Sequence, residues 1–129
     1  MENAEIPDDL RRFILQNIDS VAKLEALLLM RKHAGQDWDP ATMSARLYIG
    51  LQQATSILQD LSRLSLCRSE GSGYRYQPGQ ALSELVDRLA ETYASQLIPV
   101  TNLIHARNPS NLQHFADAFK IWKNPKEDS

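Results

Sequence analysis

The chain has 129 residues, 43% of them hydrophobic, so it can bury one sizeable core and gives no sign of a second independent domain. It contains no 18-residue apolar run, and its N-terminus is acidic where a secretory signal is basic, so we expect a cytoplasmic protein without a membrane partner. The formal net charge of −2 argues against a strongly basic nucleic-acid binder, and the single cysteine excludes an intramolecular disulfide.

Two helices are predicted before residue 35. Pro7 followed by Asp8 and Asp9 indicates a first helix with one apolar face. Ser20 is a good N-cap for a second helix, which is apolar almost all round and is therefore expected to be central. Residues 35–37 are predicted to link it to the next element.

The signals for the third helix are the strongest in the chain. Asp39 is a favourable N-cap and Pro40 suits the first helical position. Trp38 and Met43 have the spacing of a hydrophobic staple. A break at residues 48–50 predicts a tight turn, in which we expect Gly50 to adopt the backbone conformation that other residues resist.

A fourth helix is predicted over about residues 51–64, with two distinct faces. Its apolar positions are Ala54, Ile57, Leu58 and Leu61. Its polar positions are Gln52, Gln53, Ser56, Gln59 and Arg63. Gln can pair with adenine, Arg with guanine or phosphate, and Ser with several bases, so this face can read a major groove; the alternative is a solvated face. Asp60 lies at its edge and should mildly repel phosphate.

Residues 67–76 are predicted to form a hairpin, in which two short strands flank a glycine-rich turn. Tyr74 and Tyr76 fall on one side of the second strand and Arg75 on the other. Arg68 and Arg75 could therefore contact phosphates, as could Arg46 in the third helix. Over residues 40–78, four arginines against two acidic residues give +2 and leave −4 for the rest of the chain.

The segment from Met43 to Tyr76 resembles the winged-helix transcriptional regulators, most closely the MarR-like kind. In that family, a pattern similar to Met-Ser-Ala-Arg-Leu-Tyr-Ile at residues 43–49 comes just before the recognition helix. The resemblance implies a mainly α fold with a β-hairpin wing. It divides the chain into a winged-helix part with an N-terminal helix (1–80) and a C-terminal helical dimerisation extension (81–129). It also implies a homodimer that binds double-stranded DNA, and it leaves room for a small-molecule effector that the sequence does not identify.

The C-terminal part is expected to supply the dimer contacts. An apolar stripe from Leu82 to Ile104 predicts one long helix, kinked at Pro99 and too long for its own protomer to cover. A capping box at Ser110 predicts another helix, rich in aromatic residues, that packs either on its own protomer or on a partner. The predicted interface residues are Leu89, Tyr93, Leu97, Val100, Ile104, Phe115, Phe119 and Trp122.

Enzyme chemistry has little support. His33, His105 and His114 lack the spacing of metal ligands and are expected on the surface, so we predict no catalytic residues, metal or cofactor. Some MarR-like regulators sense oxidants through one cysteine, and Arg68 could activate Cys67, but a packed thiol is the interpretation we favour. Two functions stay open. One is a dimeric DNA-binding regulator, which we prefer; the other is a winged-helix protein-interaction module that does not bind DNA.

Overall fold

The computed structural model describes residues 6–107 other than Ser72 and is mainly helical, with a small antiparallel sheet. The helices are α1 (Asp8–Asn17), α2 (Val21–Lys32), α3 (Pro40–Leu47), α4 (Leu51–Arg63), α5 (Gln80–Ser95) and α6 (Leu97–Arg107). The strands are β1 (Asp37–Trp38), β2 (Cys67–Glu70) and β3 (Gly73–Tyr76). None of the helices described is long and apolar enough to cross a membrane.

The starts of α2 and α3 follow the predicted capping chemistry. The Ser20 hydroxyl accepts a hydrogen bond from the Lys23 amide at 3.1 Å. The Asp39 carboxylate accepts one from the Thr42 amide at 2.7 Å, and Pro40 occupies the first turn of α3. Trp38 and Met43, the predicted staple pair, are both fully buried. Local signals therefore fix where α2 and α3 begin.

The sheet has the order β1-β3-β2 and is antiparallel throughout. The predicted hairpin forms β2 and β3, with Gly71 in its turn at φ 57°. Strand β1 begins at Asp37, the last residue of the stretch that we expected to be a simple link, and includes Trp38. It approaches β3 so closely that a Cβ on Gly73 would stand 2.9 Å from the Trp38 carbonyl oxygen. Residue 73 is therefore glycine because the β1 backbone occupies the space of a side chain.

The turn between α3 and α4 differs from the prediction. Tyr48 adopts the left-handed conformation, with φ 59° and ψ 44°, whereas Gly50 is extended, with φ −66° and ψ 154°. The Ser44 hydroxyl donates to the Ile49 carbonyl at 2.6 Å, and the Ile49 amide donates back to the Ser44 carbonyl at 3.2 Å. These two bonds close the turn at Tyr48, so the expectation that Gly50 takes the unusual conformation was wrong.

The predicted long helix from Leu82 to Ile104 is two helices, so that expectation was also wrong. Helix α5 ends at Ser95, Gln96 departs from helical geometry at φ −134° and ψ 57°, and α6 restarts at Leu97. Pro99 thus lies in the first turn of α6, where a missing amide hydrogen costs no helical hydrogen bond. A full break three residues upstream accommodates the proline better than a kink at the proline itself.

Because the chain turns at Gln96, α6 packs against α1 and α5 of the same protomer. Leu89, Val100 and Ile104 are fully buried and belong to the same core as residues of α1, α2 and α4. These three residues are therefore core residues of the protomer, which corrects their assignment to a dimer interface. Tyr93 is partly buried, and its hydroxyl donates to the Glu25 carboxylate of α2 at 2.7 Å.

Two apolar residues at the start of α6 remain accessible. Leu97 is 51% exposed and Ile98 is 64% exposed. Among the predicted interface residues that the structure describes, Leu97 is therefore the most accessible to a partner. Phe115, Phe119 and Trp122, with the helix predicted after Ser110, lie outside the described residues.

Candidate nucleic-acid interface

Helix α4 has the two faces that its sequence predicts. Its four apolar residues are buried, namely Ala54, Ile57, Leu58 and Leu61. Its five polar candidates are all exposed, namely Gln52, Gln53, Ser56, Gln59 and Arg63. The buried face packs on α3, α2 and β2, so three elements of the fold lie behind the exposed face. The structure thus gathers every candidate base-contacting side chain on one solvent-facing surface, which we call the α4 polar face.

The arginines around this face already have partners within the protein. Arg46 is exposed, and its guanidinium lies 5.6 Å from the centre of the buried Trp38 ring, within cation–π range. Arg75 Nε donates to Asp37 Oδ1 at 2.8 Å across strands β3 and β1. A phosphate would therefore compete with, or add to, contacts that already orient both guanidinium groups.

The outer side of the sheet carries one row of charges across its three strands. Asp37 of β1 is opposite Arg75 of β3, which in turn is opposite Arg68 of β2. Like charges directly opposite each other on neighbouring strands repel, and the ion pair of Asp37 with Arg75 offsets part of this repulsion. The two arginines that the sequence predicts as phosphate contacts in the hairpin are therefore neighbours on one side of the sheet.

Asp60, which the sequence predicts to repel phosphate mildly, is paired with two cations. Its Oδ2 accepts a hydrogen bond at 2.8 Å from Lys23 Nζ of α2, and its Oδ1 accepts one from the Arg63 guanidinium. Lys23 Nζ also lies 3.0 Å from Asp19 Oδ1. Two cations flank the Asp60 carboxylate, so part of its negative charge is compensated within the protein.

Lys23 and Asp37 were both missed as parts of the candidate site. Lys23 lies on a predicted core helix, 37 residues from Asp60 in sequence, and Asp37 was assigned to a link. Neither long-range contact has a local signal. The sequence patterns that could have indicated part of this arrangement are the three-residue spacing of Asp60 and Arg63 and the four-residue spacing of Asp19 and Lys23.

Cys67 is packed, as the favoured interpretation proposed. The thiol is buried, with Sγ 3.8 Å from the Leu58 carbonyl oxygen, and burial raises the pKa of Cys67 to about 11. The thiolate that would react with an oxidant is therefore scarce at neutral pH, despite the neighbouring Arg68. This environment is that of a small core residue.

The described part of the chain has no cluster of side chains that could bind a metal ion. Across residues 6–107 other than Ser72, no three His, Cys, Asp or Glu side chains are placed to share a metal ion. His33 is half-buried with its ring 6.2 Å from that of Trp38, His105 is exposed, and His114 lies outside the described residues.

No protein-family model, curated protein or solved structure is significantly similar to this chain.

Proposed function

We propose that this protein is a dimeric winged-helix transcriptional regulator that inserts α4 into the major groove of DNA. The observation that carries the proposal is the α4 polar face. All five of its candidate side chains are exposed on one surface, next to a hairpin with Arg68 and Arg75 on its outer side. In this proposal β2 and β3 form the wing, and their arginines contact phosphates beside the groove.

The chemistry of the α4 polar face favours base reading over simple solvation. A solvated helix face is typically rich in Lys and Glu, whereas three glutamines and a serine accompany the single Arg63 here. Glutamine presents a donor and an acceptor in the geometry that matches the major-groove edge of adenine. With 13 residues, α4 is roughly 20 Å long, so more than one of its turns can follow the groove.

The charge of the protein determines how this binding must work. The net charge of −2 supplies little long-range attraction, so one copy would release few counterions from DNA. We propose that two copies act together and double the phosphate contacts, with Leu97, Ile98 and residues beyond 107 in the contact between them. A twofold dimer also matches the symmetry of a palindromic site. A regulator of this kind works in the cytoplasm, where a single reduced cysteine is expected.

A second candidate is a protein-interaction module, and the turn before α4 favours it. Tyr48 is 93% exposed and Leu51 is 57% exposed, so two large side chains stand in water beside the α4 polar face. Aromatic side chains of this kind are common anchors in protein interfaces. Under this candidate the same surface would bind another protein, and replacing Tyr48 would weaken that contact.

Titration of the whole protein with fluorescent duplex DNA distinguishes the two candidates. We expect anisotropy to rise at low salt and the affinity to fall steeply as salt increases. Arg68→Ala should weaken binding to all sequences and lower the salt slope by about 1. The matched control is Arg12→Ala, which removes the same charge from the exposed side of α1. Unchanged anisotropy for the folded protein at low salt would refute DNA binding and favour the interaction module.

A further inference from the structure

A chain of three charged residues runs from the interior of the protein to the α4 polar face. Lys23 of α2 is 8% exposed, Asp60 of α4 is 30% exposed and Arg63 of α4 is 72% exposed. Lys23 Nζ donates to one oxygen of Asp60 at 2.8 Å, and the Arg63 guanidinium donates to the other. The carboxylate therefore joins a buried, fixed cation to an exposed, otherwise flexible one.

We infer that Asp60 is a positioning residue that holds Arg63 ready to recognise a guanine. This inference rests on the proposed DNA-binding function and assigns one specificity-determining contact within it. Arginine has a long side chain with many rotamers, and fixing it in one of them costs conformational entropy on binding. Asp60 restricts Arg63 before DNA arrives and leaves the rest of the guanidinium fork for the O6 and N7 atoms of guanine.

The anchor for Asp60 comes from a second helix, which keeps the geometry fixed. Lys23 is held between Asp60 and Asp19, with Nζ 3.0 Å from Asp19 Oδ1. These three residues line an open surface depression with Arg63, so the network lies at the surface that α2 and α4 share. A carboxylate held on α4 alone could rotate freely about its own side-chain bonds, whereas one bonded to α2 cannot turn away without breaking a partly buried hydrogen bond.

The alternative role for Asp60 predicts the opposite change in affinity. If Arg63 only contacts phosphate, Asp60 weakens that contact by competing for the guanidinium, and removing its charge should strengthen binding to every sequence alike. If Asp60 positions Arg63, removing the charge should lower the preference for one base. Sequence preference and overall affinity therefore separate the two roles.

The test compares Asp60→Asn with Asp19→Asn, which removes the same charge from the other partner of Lys23 but lies on a different contact from Arg63. A preferred duplex is first selected from a random pool with the parent protein. Dissociation constants are then measured for that duplex and its single-base variants. We expect Asp60→Asn and Arg63→Lys to reduce discrimination at one guanine by roughly tenfold, and Asp19→Asn to preserve it.

A second measurement needs no DNA. By NMR relaxation of the free protein, we expect the Arg63 Nε–H group to be rigid in the parent and in Asp19→Asn, and mobile in Asp60→Asn. The inference is overturned if Asp60→Asn keeps the base preference and binds all duplexes more tightly, or if its Arg63 Nε–H group stays rigid. Failure of the folded parent to bind any duplex would instead refute the proposed function and, with it, the role of Arg63.

Discussion

The fully buried Ile104 gives the sharpest test of how the C-terminal part of the chain is used. Helix α6 packs on α1 within one protomer, so Ile104 should stabilise the monomeric fold. Ile104→Ala removes three carbon atoms, worth about 2.4 kcal/mol in transfer free energy at about 0.8 kcal/mol each. The cavity left behind adds to this cost and brings the expected loss to about 3 kcal/mol.

Thermal and urea unfolding should measure this loss directly. For a chain of this size, about 3 kcal/mol lowers the melting temperature by roughly 10 °C. The matched control is Leu97→Ala, which should cost much less because half of that side chain is already in water. A variant Ile104→Ala with the parent's unfolding free energy but an altered mass in analytical ultracentrifugation would refute the intramolecular packing and return Ile104 to a subunit interface.

Three further predictions concern single residues and can be checked by urea unfolding. Gly73→Ala should destabilise the protein, because its Cβ would stand 2.9 Å from a backbone carbonyl oxygen of β1. The control Gly35→Ala, at an exposed site with open space outside the helices and strands, should not, and equal losses would contradict this. Tyr48→Gly should leave the stability unchanged or raise it by up to about 1 kcal/mol, because glycine tolerates the left-handed conformation and the exposed ring packs on little; a clear loss would show hidden packing. The raised pKa of Cys67 means that the folded state holds its proton more tightly, so stability should fall as pH rises from 9 to about 11, and Cys67→Ala should lose less of it over that range. Equal losses would contradict the burial of the thiol.

Local chemistry was enough to predict much of the candidate site. Asp39 and Pro40 fix the start of α3, and the repeat of apolar residues in α4 decides which of its faces is buried. Because α4 is strongly amphipathic, its exposed residues follow from the sequence once the buried ones are known. Alternation in the hairpin likewise places Arg75 on the outer side of the sheet.

The features that the sequence did not predict depend on distant parts of the chain. Strand β1 has only two residues and exists because β3 lies beside it, so no periodic pattern announces it. The break at Gln96 puts Pro99 in the first turn of α6, where its missing amide hydrogen costs no helical hydrogen bond. It also lets α6 pack against α1, and that contact depends on the tertiary fold rather than on local sequence. The hydrogen bond from Lys23 to Asp60 joins residues of two helices that are 37 positions apart in sequence, so no local pattern indicates it.

The central claim is that the α4 polar face and the hairpin beside it bind DNA. Amide chemical shifts of the isotopically labelled protein, followed while duplex DNA is added, test it most directly. The account predicts that the largest changes fall on residues 51–63 and 67–76, with small changes on α5. Changes concentrated on α5 and α6, or none at a large excess of DNA and low salt, would contradict it.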